Sequence, residues 1–99
     1  MDGALAEVET AQRSVLRVDG ELGSVRSKQV GTAASLVAEL DDGTGVIRLV
    51  WLGQQRITGI EPGRALTVEG VPTIHRGRKT IFNPRYQLGA IPAQPGPRD

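Results

Sequence analysis

From residue 14 onward, apolar side chains recur at every second position, and breaks rich in glycine or proline cut the run into short lengths. A period of two puts successive side chains on opposite faces of an extended strand, and a helix cannot satisfy it. In "VLRVDGELGSVRS", Leu16, Val18, Gly20 and Leu22 share one phase, while Arg17, Asp19 and Glu21 share the other. Gly20 and Gly23 mark a bend or bulge in this first strand. "AASLVAEL" repeats the device, with Leu36, Ala38 and Leu40 on one side and Ser35, Val37 and Glu39 on the other. "DDGTG" supplies turn chemistry, since glycine tolerates positive φ and aspartate bonds its own backbone. "VIRLVWL" is then the third strand.

"GQQRITGIEPGR" breaks the rhythm and predicts one helical turn near residues 54–58, then a tight turn at Pro62-Gly63. "ALTVEGVPTIH" is the fourth strand, which Pro72 ends, bends or holds at an edge. "KTIFNPRYQL" is the fifth, kinked at Asn83-Pro84. Five strands with a long connection after the third predict an all-β, five-stranded Greek-key barrel of the OB-fold type, with a short helical turn between strands 3 and 4. An SH3-like barrel, the rival, has shorter strands and no insert there. The barrel is expected over residues 14–89. Residues 1–13 form an N-terminal segment, read as a short helix with Leu5 and Val8 three apart. Residues 90–99 form a disordered tail rich in proline and glycine.

A single small domain of 99 residues without cysteine gains nothing from disulfides or thiolate metal sites. No apolar run approaches the roughly 20 residues of a membrane span. "MDGALAEVETAQ" lacks the basic start and apolar middle of a signal peptide. A cytoplasmic protein, with no membrane partner, is the expectation. The net charge of +1 conceals an uneven distribution. Asp2, Glu7 and Glu9 crowd the start, whereas no acid lies between Glu69 and Asp99 and five bases do. A one-sided basic segment can steer a polyanion whatever the total charge.

"VDGELGSV", "LVAELDDGTGVIRLVW", "IEPGRALTVEGVP" and "RKTIFNPRY" together resemble the wedge-type OB domains of RecG-like helicases. The chain is still more similar to the small stand-alone OB-fold proteins of actinobacteria described as nucleic-acid-binding. The resemblance covers about residues 14–89. It implies a DNA- or RNA-binding β-barrel without a motor, and no GxxxxGK[ST] phosphate loop is present to bind ATP.

OB-folds typically bind single strands across strands 2 and 3, with loops 1-2 and 4-5 closing over them. Loop 1-2 is expected to begin near Arg26 and Lys28, and loop 4-5 to carry His75, Arg76, Gly77, Arg78 and Lys79. Both are basic, and the topology would bring them to one groove. Arg48 lies out of phase with the core, with Glu39 on its face. Trp51 travels with the apolar set, so core packing is its simplest role; a bulge near Gly53 would expose it for base stacking. Phe82 is expected in the core, and Tyr86 at a barrel end. The predicted nucleic-acid-binding residues are therefore Arg26, Lys28, Arg48, Trp51, His75, Arg76, Arg78 and Lys79. With so few aromatics, binding should be weak, salt-sensitive and tolerant of sequence.

A lone histidine and no cysteine argue against an enzyme. Asp41 and Asp42 read as a turn, lacking the spaced oxygen ligands of a calcium loop. No metal and no cofactor are expected. An adaptor that binds another protein through an outward patch of Val37, Val50 and Leu52 is the alternative function. The sequence leaves the oligomeric state open.

Overall fold

A computed structural model describes residues 14–89. The expected N-terminal helix and disordered tail lie outside the described residues. The described chain is all-β: β1 (Leu16–Val30), β2 (Ala33–Asp41), β3 (Val46–Trp51), β4 (Ala65–Gly70), β5 (Thr73–His75), β6 (Arg78–Phe82) and β7 (Arg85–Leu88). They form one mixed sheet in the order β5-β6-β3-β2-β1-β4-β7. Among the described residues, no helix is long and apolar enough to cross a membrane.

There are seven strands in place of the expected five, because each of the last two is cut by a proline. Proline donates no ladder hydrogen bond. Pro72 separates β4, which pairs with β1, from β5, which pairs with β6. At Asn83-Pro84 the kink becomes a change of partner: β6 runs parallel to β3, and β7 runs antiparallel to β4. Asn83 takes a left-handed backbone there, with φ 52°, a conformation that asparagine adopts more readily than most residues.

The helical turn expected at residues 54–58 is also corrected, since the described residues contain no helix. The segment makes only turn bonds, from Gln54 N–H to Trp51 C=O at 3.4 Å and from Ile60 N–H to Ile57 C=O at 3.0 Å. Gly53 and Gly59 both have positive φ and bracket it. So short a stretch cannot offset the cost of nucleating a helix.

β1 is long because it serves two neighbours in turn. Its first half, Leu16–Glu21, pairs with β4, and its second half, Val25–Val30, pairs with β2. The two ladders overlap at Glu21, which pairs with both Ala65 and Asp41, and a register shift between Leu22 and Val25 then interrupts the β2 ladder at the glycine-bearing stretch where the sequence predicts a bulge. Gly20 sits just before it, and a Cβ there would stand 2.5 Å from the Asp41 carbonyl oxygen. Only glycine lets the two backbones approach so closely.

The connections force the sheet to curl. β4 and β5 stand five places apart in the order, which is roughly 24 Å across a flat sheet. The link through Val71 and Pro72 spans at most about 11 Å. The link between β6 and β7 is equally short and joins strands equally distant. No ladder joins β5 to β4, so the curled sheet is not closed by hydrogen bonds.

The curl encloses one core. Leu36 faces Trp51, Ala38 faces Leu49, which in turn faces Ile81, and Leu40 faces Ile47, with Val18, Leu22, Leu66 and Val68 from the other side. These are the inward phases read from the alternation. Trp51 is 5% exposed, donates Nε1–H to the Pro84 carbonyl at 3.2 Å, and meets Tyr86 edge-on at 5.8 Å.

The β2–β3 turn is held by its aspartates. Asp42 Oδ1 accepts from the Thr44 N–H, the Thr44 hydroxyl and the Gly45 N–H, and Asp41 Oδ1 accepts from the Gly43 N–H. The Thr44 N–H first, then its hydroxyl and the Gly45 N–H, hold the Asp42 carboxyl below its ordinary 3.8. A depressed folded-state pKa stabilises the protein above the ordinary value, and that stability is lost as pH falls through the lowered one. Asp42→Asn should therefore be less stable than the parent at neutral pH. The gap should close in strong acid, as urea midpoints measured at both pH values would show.

Candidate functional site

β2 and β3 are core strands on one face only. The opposite face carries Ser35, Val37 and Glu39 from β2, set in register against Arg48 and Val50 from β3 and Thr80 and Phe82 from β6. Arg26 stands opposite Val37, and Lys28 opposite Ser35. The end of β1 and the tip of the β5–β6 hairpin rise at either side. Between them lies a groove of about 340 Å³, whose lining includes Val37 and Val50 with Lys28, Arg48, His75 and Arg76.

Val37 and Val50 are 3% and 1% exposed. The outward apolar patch expected for a protein adaptor is thus covered, and of its three members only Leu52 is exposed. Ser35 and Thr80 are buried with their hydroxyls satisfied: Ser35 Oγ donates to the Ala33 carbonyl at 3.1 Å, and Thr80 Oγ1 to that of Arg78 at 3.0 Å.

The structure divides the predicted residues. Lys28, Arg48, His75 and Arg76 line the groove together, although they come from three separate stretches of chain. Arg26 is exposed on the same face. Arg26 and Lys28 do not belong to a loop, which corrects the sequence expectation. β1 continues through both to Val30, and the β1–β2 turn is only Gly31-Thr32. Alternating residues of a strand share a face, so both side chains still point to this side.

Arg78 is engaged elsewhere. Its Nη2 donates to Glu39 Oε2 at 3.1 Å. Glu39, which shares the face of Arg48, is thus neutralised by Arg78, reaching across from β6. Lys79 alternates away from Arg78 and lies on the other side of β6, beside Leu16, Thr44 and Ile47. It is not part of the groove. Trp51 occupies the core, the simpler of its two expected places. Phe82, expected in the core, is instead half-buried and meets the His75 ring edge-on, with centroids 5.2 Å apart. Its opposition to Val50, which places it on the outer face, could be read only from the pairing partner of β6.

The hairpin tip carries local strain. Arg76 and Gly77 have φ of 53° and 77°, the signature of a type I′ turn, whose first position favours Asn, Asp or Gly. An arginine held in a left-handed conformation costs on the order of 1 kcal/mol or more. Arg76→Asn should raise stability by about 0.5 to 1 kcal/mol and weaken polyanion binding. Thermal unfolding and a binding titration on the same samples would check both.

No protein-family model matches this chain, and none of the curated proteins is detectably similar to it.

Proposed function

We propose that this chain is a non-catalytic module that binds single-stranded nucleic acid along the outer face of β2 and β3. One observation carries the reading: three cations, Lys28, Arg48 and Arg76, line one groove whose lining contains no acid. Glu39, in register with Arg48, is already paired with Arg78. Cations converging on one groove from separate segments can meet successive phosphates of a backbone.

The topology supports an OB-type barrel. If β4 and β5 are taken as one strand bent at Pro72, a ring runs from β1 through β2, β3 and β6 to β5 and, by covalent continuity, through β4 back to β1. In that fold the face made by strands 2 and 3 is the usual ligand platform. The aromatic surface beside the groove is small, chiefly His75 against Phe82. Backbone contacts then dominate, and binding is weak, sequence-tolerant and salt-sensitive.

Fluorescence anisotropy tests this with labelled single-stranded DNA, single-stranded RNA and duplex DNA at low and moderate salt. The expected result is single-strand binding that falls steeply with salt, with Trp51 emission little changed because the indole is buried. Absence of binding to all three at low salt overturns the proposal.

A further inference from the structure

We infer that Arg48 forms a fixed seat for one backbone phosphate, a deepening that rests on the nucleic-acid reading above. Arg48 sits in mid-strand between the core residues Ile47 and Leu49, and ladders on both sides fix its backbone against Glu39 and Thr80. Its natural partner is taken, because the Glu39 carboxylate binds Arg78. Among the described residues, Arg48 makes no ion pair.

Its Nε is buried and has no hydrogen-bond partner. A buried N–H without an acceptor is costly, and the cost is greater on a charged group. Arg48 lines the groove, whose floor at Val37 and Val50 is apolar and buried. A ligand entering the groove can therefore supply the missing acceptor. Two parallel N–H donors of an arginine fork match two oxygens of a phosphate, and the low local dielectric strengthens the contact. A lysine keeps the charge but loses this geometry. Lys28 and Arg76, at the groove's flanks, are exposed and act as less directional charges toward neighbouring phosphates.

The seat thus differs in kind from its flanks. Arg48 supplies orientation through hydrogen bonds, while Lys28 and Arg76 supply attraction that salt screens. Arg48→Lys and Arg48→Gln in the full chain separate these roles, with folding confirmed by amide spectra. Binding is read with a thymidine oligonucleotide, and the Arg48 Nε–H resonance is followed by NMR. Arg48→Lys should lose about tenfold in affinity with an unchanged salt slope. Arg48→Gln should lose more and lower the slope by about one. The Nε–H resonance should move on saturation of the parent chain. Parent-like affinity in a folded Arg48→Lys chain, or an Nε–H signal that stays still at saturation, overturns the seat.

A pyrophosphate titration distinguishes its failure from that of the function. If no oligonucleotide binds but pyrophosphate moves the Nε–H signal, the anion seat stands and the nucleic-acid reading falls. If neither moves it, the seat falls.

Discussion

A chain carrying Lys28→Gln, Arg48→Gln and Arg76→Gln together should bind single-stranded nucleic acid several hundredfold more weakly, on the order of 10²–10³, at about 50 mM salt, with a salt slope lower by roughly two. Each phosphate contact to a single strand contributes about 0.7 of a unit of slope, which at low salt amounts to somewhat under a decade of affinity. The three side chains share one groove, and no acid in its lining competes for them. Lys79→Gln is the internal control. It makes the same kind of charge change on the other side of β6, beside Thr44 and Ile47, and should lower affinity far less. A folded triple variant that binds like the parent would remove the groove from consideration. Equal losses from Lys79→Gln alone would show that only overall charge matters.

The second large effect is on stability. Trp51→Ala should cost about 3 to 5 kcal/mol, a large share of the roughly 5 to 15 available to a small domain. The indole is 5% exposed, packs in the core and spends its N–H on the Pro84 carbonyl. Its removal leaves a cavity, an unpaired carbonyl and a Tyr86 ring without its edge-on neighbour. Trp51→Phe restores part of the packing but not the hydrogen bond, so it should cost less. Urea unfolding followed by circular dichroism would rank the three chains. A loss under 1 kcal/mol for Trp51→Ala would contradict the core placement.

Which side chains face inward was legible because it depends only on local alternation. Leu36, Ala38 and Leu40, Ile47, Leu49 and Trp51, and Leu66 and Val68 all follow the period of two into the core. The turn at Asp42–Gly45 was legible for the same reason, since its chemistry is contained in a few adjacent residues. Partner choice was not local. Nothing in "KTIFNPRYQL" says that residues before Pro84 pair with β3 and those after it with β4. That one fact turns Phe82 outward and brings Arg78 to Glu39, 39 residues earlier in the chain. The same distance effect hid the burial of Val37 and Val50, whose period marks them as outward. Of the candidate site, the basic residues could be recognised by type and segment. Their division into those that line the groove, one that pairs internally and one that faces away required the folded sheet.

The sheet's outer strands bear on how the protein behaves when concentrated. β5 and β7 are three and four residues long, and each begins directly after a proline. Strands so short give another molecule little template for adding to the ladder. The second half of β1 is the longer open margin, since Val25–Val30 is laddered to β2 alone. Arg26 and Lys28 stand along that margin, and like charges there oppose the approach of an identical edge. On the proposed function, a polyanion bound along this margin would neutralise that repulsion, and the same pair of side chains would then set both the crowding of molecules along a shared strand and the clumping of free protein.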